Sequence, residues 1–546
     1  MISKISFLTI ILSASFSLFV RAQEEHNYHH IDALHYAFHI EINDQNDQIT
    51  ATTDLLFKVR KPQLNFTYVQ LSSMDDDKNG MEVLSVYLNE QPLEFTHHKD
   101  KVEIIFNEAL EKDYTGTLHI HYQGIPQDGL VISENEYGDR TFFGDNWPNR
   151  AHYWLACIDH PGDKATCEFI VTGPHHYKVI ANGSLREESL IRQPQGGFKK
   201  LTHWAIAKPI PTKVMVFGAA AFAVQHDLPV DHIEIQHWVY ADNRESSLKD
   251  FAPTSNILRY LIDRLGDYPY EKLVNVESKT KYGGMENASN IFYNEQAVDG
   301  NQNIESLIAH EVAHQWFGNS VTERDWSHIW ISEGFATYLA HSYIEHTYGA
   351  DSLQALLKAD KDRIFAYYQK SPQATVVDTT LSNLYLYLNA YSYQKGAWFL
   401  HMLRQKIGDQ LFWKGIKQFY QSYAHAKADT SDFQRIIETL AQQSLADFFD
   451  LWLYQPGHPI VKGSWKYAGL SKKLKIDLEQ VQDNNYTYQT HLEVGVWYKD
   501  NPDPEIHKLK LNEMEEQFSI KLKGKPEQVV LDPLSKVLID THLFSD

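Results

Sequence analysis

The chain has 546 residues, of which 43% are hydrophobic and 13% aromatic, and its formal net charge is -21. This length predicts several domains with sizeable cores, and the aromatic content excludes an intrinsically disordered chain. Because the net charge is strongly negative, we expect no nucleic-acid partner and no affinity for acidic membrane surfaces.

Residues 1–22 have the pattern of a secretory signal peptide. Lys4 precedes the uncharged apolar stretch Ile5–Val20, and Val20–Ala22 offers a small-x-small cleavage site. The alternative is an uncleaved membrane anchor, but the apolar stretch is shorter than the ~20 residues that a span needs. We therefore expect an exported protein, periplasmic or secreted, without a stable membrane anchor.

Strand patterns dominate the next segment. Apolar and polar residues alternate in Tyr36–Asn43, Thr52–Val59 and Gly116–Tyr122, and turn residues separate these runs. Val214–Gln225 is more continuously apolar, which is typical of a buried strand pair in the same domain. The pattern predicts a large antiparallel β domain over residues 23–228.

Cys157 and Cys167 are the two cysteines of the chain. An exported chain of this length with at most one bridge is not a disulfide scaffold. The two residues form either one local disulfide or two separate buried thiols, and the sequence leaves both alternatives open.

A helical pattern begins near residue 245 and marks a second domain over residues 229–459. It contains a short strand at Leu273–Glu277, and Asn303 is a candidate cap for a helix that Gly318 would end. Ser332 is a candidate cap for the following helix. The predicted helices of this domain are Thr254–Leu265, residues 303–318, residues 332–347, Asp351–Tyr368, Tyr393–Lys406, Asp409–Ala424 and Thr430–Leu440.

His310, Glu311 and His314 form a His-Glu-x-x-His motif within this helical pattern, and Glu333 follows after eighteen intervening residues. Positions i and i+4 share one face of a helix, so both imidazoles can reach one ion. Two imidazoles, one carboxylate and an open fourth position describe a catalytic zinc site. The spacing predicts one Zn²⁺ per chain, with His310, His314 and Glu333 as ligands and Glu311 as general base.

The segment Pro456–Pro459 breaks the helical pattern, and strand patterns return after it. They predict a C-terminal β-sandwich over residues 460–546. The predicted strands are Lys472–Leu478, Thr487–Trp497, His507–Leu511, Glu516–Leu522 and Val529–Asp532.

Together these motifs resemble those of the M1 family of zinc aminopeptidases, from about residue 30 to beyond residue 460. The resemblance implies an α+β multidomain fold with an N-terminal antiparallel β saddle, a thermolysin-like α/β catalytic domain and a C-terminal β-sandwich. The segments that carry it are Cys157–Pro161, Lys164–Thr166, Gly283–Asn287, His310–Asn319, Trp330–Ala336 and Tyr393–Ala397.

The resemblance also implies a substrate-binding segment. Glu286 is similar to the glutamate that binds the free α-amine of the substrate, and a buried carboxylate suits an ammonium group. Gly283 and Gly284 lack side chains and let the substrate backbone approach, and Met285 and Asn287 complete the motif. The implied partners are peptides with a free N-terminus, from which single residues are released.

Tyr393 is similar to the tyrosine that stabilises the tetrahedral oxyanion. Tyr391, two residues earlier, is its rival for this role. Alternatively, Tyr393 is an aromatic residue of the hydrophobic core at the start of a helix and takes no part in the reaction.

Two departures from the family pattern matter. Many members place an acidic or amide side chain of the N-terminal domain near the amine site, and the corresponding segment here is Asn146–Asn149. We also expect the large helical C-terminal domain of many members to be absent. Without that domain, the active site would be less enclosed and would admit longer peptides.

Two alternative functions remain open. Some relatives with the Gly-Gly-Met-Glu-Asn motif also open a lipid epoxide, and a non-catalytic relative would bind peptides without cleaving them. Intact Glu311 and Tyr393 argue against the non-catalytic alternative. The preferred N-terminal side chain and the oligomeric state do not follow from the sequence.

Overall fold

A computed structural model describes residues 30–194, 196–483, 486–499 and 501–545. The predicted signal peptide lies outside these residues. Contacts divide the described residues into a first unit, up to residue 248 with 270–300, and a second unit, residues 249–269 and from residue 301 onward. In the described part of the chain, no helix is long and apolar enough to cross a membrane.

An eight-stranded sheet dominates the first unit. Its strands alternate between buried and more exposed residues, as in Ile49–Val59, where every second side chain from Ile49 onward is buried. In spatial order the strands are Ser184–Arg192, Phe198–Pro211, Lys164–Pro174, Ile31–Glu41, Ile49–Val59, Thr115–Ile125, Gly80–Leu88 and Gln91–Pro92.

The prediction of an antiparallel β domain needs one correction. Ile31–Glu41 pairs with Lys164–Pro174 in parallel, whereas the other neighbours in this sheet are antiparallel. The long stretch of chain between these two strands supplies the crossover that a parallel pair needs.

Two smaller sheets belong to the same unit. One has the strand order Lys178–Ala181, Phe217–Ala220, Arg140–Gly144 and Leu130–Glu134, and the other has the order Leu64–Gln70, Lys101–Leu110 and Glu94–His98. Cys157 and Cys167 are free and buried, as in the alternative of two separate thiols. Short helical turns cover Ala151–Tyr153, Thr212–Val214 and Ala241–Asn243, and helix Arg244–Asp250 follows.

A five-stranded sheet completes the first unit. Its strand order is Phe222–His226, Glu234–Tyr240, Lys272–Ser278, Asn290–Asn294 and Gly284–Met285. Lys272–Ser278 is buried throughout, which confirms the strand predicted at Leu273–Glu277.

The apolar run at residues 214–225 does not form the predicted strand pair. Phe217–Ala220 pairs with Arg140–Gly144 and Lys178–Ala181, whereas Phe222–His226 pairs with Glu234–Tyr240. The chain changes sheet at the exposed Ala221, and composition alone does not reveal such a change. The predicted boundary after residue 228 falls between two paired strands, and the domain limits stay predictions.

Most α-helices of the described chain lie in the second unit. The predicted helix Thr254–Leu265 is confirmed, and Asp409–Tyr423 and Thr430–Ala441 differ from prediction by one residue. The remaining α-helices are Glu305–Ala313, Trp330–Tyr348, Ala350–Lys370, Gly396–Ile407 and Ala446–Phe449. Short helical turns cover Trp326–His328 and Leu384–Tyr387, π-helical turns cover Tyr391–Lys395 and Asp450–Tyr454, and Thr322–Glu323 pairs with Lys427–Ala428.

Two sheets follow residue 459. One has the strand order Glu515–Lys521, Lys473–Gln480, Ile460–Ala468 and Asp540–Ser545, and the other has the order Glu505–Leu511, Thr490–Trp497 and Gln528–Leu531. The sequence did not predict Ile460–Ala468 or Asp540–Ser545, because neither strand alternates cleanly between buried and exposed residues.

A buried ion pair in the first unit fixes the segment that leads into Gly283. The guanidinium of Arg150 donates to Asp145 and, at 2.7 Å, to Asp128, and its Nε donates to the Trp147 carbonyl at 2.7 Å. Asp145 also accepts from the backbone N–H of Lys281 at 2.8 Å. The pair thereby joins the loop after strand Arg140–Gly144 to the chain just before the glycine pair.

We expect Arg150→Met to lower the free energy of unfolding by about 3–5 kcal/mol, because it leaves the buried Asp145 carboxylate without its counter-charge. Urea denaturation measures this change. Lys58→Met removes the exposed ion pair with Asp113 and should leave stability nearly unchanged. Equal effects of the two substitutions would contradict this role of Arg150.

Candidate metal centre and active site

Helix Glu305–Ala313 carries the first part of the candidate site. Ile308, Ala309 and Val312 on this helix are fully buried and anchor it in the core of the second unit. The backbone N–H of His314 donates to the carbonyl of His310 at 3.2 Å. This bond continues the helical turn through His314, so both imidazoles lie on one face, as predicted.

Three candidate ligand atoms converge beside this helix. The Nε2 atoms of His310 and His314 lie 3.0 Å apart. Oε2 of Glu333, in the first turn of helix Trp330–Tyr348, lies 3.5 Å from the first nitrogen and 3.2 Å from the second. Ligand atoms about 2.0–2.1 Å from a tetrahedral zinc ion lie about 3.3–3.4 Å from one another, so this donor set fits zinc.

A turn after the helix orients the His314 ring. Nδ1 of His314 lies 3.1 Å from the Phe317 carbonyl oxygen, and because a carbonyl can only accept, Nδ1 carries the proton. The lone pair of Nε2 therefore faces the other two donor atoms. The Ser332 hydroxyl oxygen lies 3.2 Å from the same Nδ1 and is a second acceptor of its N–H, which makes the hydrogen bond bifurcated.

Gly318 makes room for this arrangement. Its φ is +122°, and a Cβ atom there would lie 2.4 Å from Ser332 Oγ and 2.9 Å from His314 Nδ1. The predicted helix end at Gly318 and the predicted helix cap at Ser332 are both wrong. The helix ends at Ala313, and Ser332 lies inside the next helix, which begins at Trp330.

Burial and neighbouring charges set the protonation of the candidate ligands. Burial lowers the pKa of His310, although Glu333 opposes this shift, so the imidazole is neutral and its Nε2 can bind a metal. Burial would raise the pKa of Glu333, but the imidazoles of His314 and His310 outweigh it and hold that pKa well below its usual range. A neutral imidazole and an ionised carboxylate are the forms that bind zinc.

Glu311 lies on the same helix and is 4% exposed. One of its carboxylate oxygens lies within 4.8 Å of a ring nitrogen of His314. Glu311 therefore does not face the solvent. A carboxylate held beside a metal ligand can exchange a proton with a water molecule at the same place.

Tyr393 lies on the π-helical turn Tyr391–Lys395, where the sequence predicted the start of an α-helix. Its ring is nearly parallel to the His310 ring, with centroids 6.0 Å apart and an interplanar angle of 13°. Tyr391 is fully buried, and its ring packs against Tyr367 at a centroid distance of 5.0 Å. Of the two tyrosines, Tyr393 is the one whose ring contacts a candidate ligand.

Two glycines set the position of this turn. A Cβ atom on Gly334, the residue after Glu333, would lie 2.9 Å from the Cα of Gly396 and 3.2 Å from the carbonyl oxygen of Ser392. Helix Trp330–Tyr348 and the segment that carries Tyr393 are therefore packed backbone to backbone. Both glycines lie in the motifs quoted above, but their contact depends on the fold.

The segment Gly283–Asn287 lies in the first unit. Gly284–Met285 is the edge strand of the five-stranded sheet, where Gly284 pairs with Tyr293 and Met285 with Phe292. Glu286 follows this strand and is 5% exposed. An edge strand without a side chain at Gly284 lets another extended backbone approach.

Asn146 has a structural role instead of an amine-binding one. Its amide nitrogen donates to the carbonyls of Thr212 and Met215, at 3.0 and 2.7 Å, and its Oδ1 accepts from Trp154 Nε1 at 2.8 Å. Both donor hydrogens and the acceptor are thereby used within the first unit. The sequence did not identify which side chain of Asn146–Asn149 would contact the substrate amine, and Asn146 has no free donor or acceptor for that contact.

Comparison with known families gives two matches. Residues 253–452 match the Peptidase family M1 domain, and residues 11–214 match the Peptidase M1 N-terminal domain. Both matches agree with the resemblance drawn from the motifs, and the β-rich N-terminal part and the catalytic part of a multidomain α+β architecture are thereby confirmed.

Two named relatives share about a quarter of their aligned residues with this chain. Glutamyl aminopeptidase of Rattus norvegicus is 26% identical over 358 residues, which cover 61% of this chain and 36% of the relative. Probable aminopeptidase 2 of Sulfurisphaera tokodaii is 25% identical over 423 residues, which cover 74% of this chain and 52% of the relative. The chain thus spans about a third to a half of the length of these relatives.

Two solved structures share the fold. An M1 zinc metallopeptidase of Deinococcus radiodurans superposes with a TM-score of 0.67 at 24% identity, covering 78% of this chain and 94% of that one. Aminopeptidase A of Legionella pneumophila, solved in complex with aspartic acid, superposes with a TM-score of 0.80 at 15% identity. The match covers 94% of this chain and 59% of that one. At these identities the likeness supports the fold alone.

We expect Gly318→Ala to weaken zinc binding by about 10–100-fold, because the new Cβ displaces the His314 ring from its Phe317 contact. Competition with a chromogenic chelator measures the affinity. Gly349→Ala is the matched control, since its φ is +91° and a Cβ there meets nothing within 4 Å. Equal zinc affinity in the two variants would show that the turn does not orient His314.

Proposed function

This chain belongs to peptidase family M1, and we propose that it is a zinc-dependent aminopeptidase that releases single N-terminal residues from peptides. The observation that carries the proposal is the convergence of His310, His314 and Glu333, whose donor atoms lie 3.0–3.5 Å apart. These residues would hold one zinc ion per chain. When bound, zinc supplies Lewis acidity towards a water molecule and a substrate carbonyl.

Glu311 is the proposed general base. Its carboxylate takes a proton from the attacking water and passes it to the nitrogen of the leaving amine, so the amine departs neutral. The burial of Glu311 and its proximity to His314 support this role. Exclusion of water from the carboxylate strengthens its hydrogen bond to the reacting molecule.

Tyr393 is the proposed donor to the oxyanion. As the substrate carbonyl becomes tetrahedral, its oxygen gains negative charge, and the phenolic O–H donates a hydrogen bond to it. The contact between the Tyr393 and His310 rings supports this assignment. The close packing of Gly334 and Gly396 fixes the turn that carries the tyrosine.

Glu286 is proposed to bind the α-ammonium group of the substrate, on the strength of the motif at residues 283–287. A carboxylate with 5% exposure pairs with an ammonium group through a charge-assisted hydrogen bond. Recognition of a free amine restricts the enzyme to N-termini. Peptides with a free N-terminus are therefore the proposed substrates.

We also propose that the protein is exported, in a periplasmic or secreted form. The signal-peptide pattern of residues 1–22 supports this location. The two relatives described above are named as aminopeptidases. Their names favour peptide cleavage over the epoxide-opening and non-catalytic alternatives.

Glu311→Gln should lower kcat by about 10²–10⁴-fold while zinc stays bound, because the amide cannot accept the water proton. A panel of aminoacyl chromogenic substrates measures turnover, and atomic absorption measures zinc. A chelator should abolish wild-type turnover, and added zinc should restore it. Glu305→Gln, on the same helix, is the control and should retain most activity. Full activity of Glu311→Gln would refute the mechanism.

Tyr393→Phe should lower kcat by about 10²–10³-fold and leave KM little changed, because the ring stays and the hydrogen-bond donor is lost. Tyr391→Phe should change kcat little, because that ring is buried against Tyr367. Steady-state kinetics of both variants on one chromogenic substrate measures the difference. A larger loss in Tyr391→Phe would reverse the assignment.

A further inference from the structure

Asn389 accepts hydrogen bonds from three consecutive residues of the turn that carries Tyr393. Its Oδ1 accepts from the backbone N–H groups of Tyr391 and Ser392, at 2.7 and 3.2 Å. Its carbonyl oxygen accepts from the N–H of Tyr393 at 3.3 Å. The first N–H groups of a helical turn lack acceptors within the turn, and here the side chain of Asn389 supplies one. One residue thus holds the backbone that leads into Tyr393.

The Asn389 side chain is itself held in place. Its Nδ2 donates to the Leu386 carbonyl at 2.7 Å, and its backbone N–H donates to the Tyr387 carbonyl at 2.9 Å. Tyr387 is buried, and its hydroxyl donates to the Asp378 carbonyl at 2.6 Å. Because both ends of the Asn389 amide make hydrogen bonds, the amide has little freedom to rotate. Asn389 is therefore a fixed support for the turn.

The other end of the turn is fixed by buried contacts. Lys395 is buried, and its Nζ donates to the Gly457 carbonyl at 2.9 Å. Gly396 follows and packs against Gly334, as described above. Asn389, by contrast, is only half-buried. Truncation of its side chain would therefore loosen the first end of the turn and leave the core contacts in place.

The position of the Tyr393 hydroxyl is sensitive to this end of the turn. The phenolic oxygen is the side-chain atom farthest from the backbone, so a small rotation of the turn displaces it by a larger distance. Hydrogen bonds weaken steeply when their angle falls below about 120°. A donor to an oxyanion must also lie about 2.7–3.1 Å from the oxygen on which the charge develops. A loosened turn would miss this geometry.

We propose that Asn389 is a positioning residue, which keeps the Tyr393 hydroxyl at the place where the oxyanion forms. This inference rests on the proposed function, in which Tyr393 donates to that oxyanion. Asn389 acts through Tyr393 and exchanges no proton with the substrate. Its effect on kcat is therefore bounded by that of the Tyr393 hydroxyl, about 10²–10³-fold.

Asn389→Ala should lower kcat by about 10–100-fold and leave KM and zinc content little changed, because a small misplacement of a reacting group weakens catalysis at this scale. Asn383→Ala is the matched control. Asn383 Oδ1 accepts from the N–H of Tyr385 at 3.1 Å in the preceding helical turn, and its loss should leave kcat unchanged. Circular dichroism checks that both variants are folded. Equal kcat in the two variants would overturn the proposal.

A double-mutant cycle separates positioning from a general structural role. In the Tyr393→Phe background no hydroxyl remains to be positioned, so Asn389→Ala should lower kcat by less than about twofold. A general loosening of the active site would lower kcat by the same factor in both backgrounds. That result would show that Asn389 does not act through the Tyr393 hydroxyl.

A conservative variant tests the hydrogen bond itself. The hydroxyl of Asn389→Ser can accept from the same N–H groups, although more weakly than an amide oxygen, so its kcat should exceed that of Asn389→Ala by about threefold or more. Equal kcat in the Ser and Ala variants would contradict the role given to Oδ1.

Fluorine NMR tests the position of Tyr393 without turnover. In protein that carries 3-fluorotyrosine, the resonance missing from Tyr393→Phe identifies Tyr393. Asn389→Ala should shift or broaden this resonance, and Asn383→Ala should leave it unchanged. An unchanged resonance in Asn389→Ala would overturn the proposal. Absence of turnover in the zinc-loaded wild type would refute the proposed function instead, and the resonance would still report whether Asn389 positions Tyr393.

Discussion

The hydrogen bond between His314 Nδ1 and the Phe317 carbonyl is the contact on which the candidate site depends. It fixes the proton on Nδ1, so that Nε2 faces His310 and Glu333 with its lone pair. The turn that supplies this carbonyl requires Gly318, because any Cβ there would meet the imidazole. The turn therefore orients the His314 ring so that its Nε2 atom faces the other two candidate ligands.

The rest of the centre is held by backbone packing. Gly334 and Gly396 bring helix Trp330–Tyr348 against the turn that carries Tyr393, with no side chain between them. This contact restricts the movement of Glu333 and Tyr393 relative to each other. Rigid elements would keep the proposed ligand Glu333 and the proposed oxyanion donor Tyr393 in place through the reaction, which is the condition for electrostatic preorganisation.

Local spacing was enough to predict that the His310 and His314 side chains converge, because they lie one helical turn apart and need only helix geometry to do so. Long amphipathic helices such as Thr254–Leu265 were predicted for the same reason. The sheet change at Ala221 depends on strand pairing that is distant in sequence, because Phe217–Ala220 pairs with Arg140–Gly144 and Lys178–Ala181. Strand Ile460–Ala468 lacks clean alternation of burial, so the sequence pattern did not reveal it.

Zinc-edge X-ray absorption of the full protein tests the central claim, coordination by His310, His314 and Glu333, most directly. We expect nitrogen and oxygen scatterers at about 2.0–2.1 Å, with the outer-shell signal of two imidazoles. Substitution of His314 by Ala should remove one imidazole from that signal. A sulfur scatterer at about 2.3 Å, or a spectrum without imidazole, would contradict the assignment.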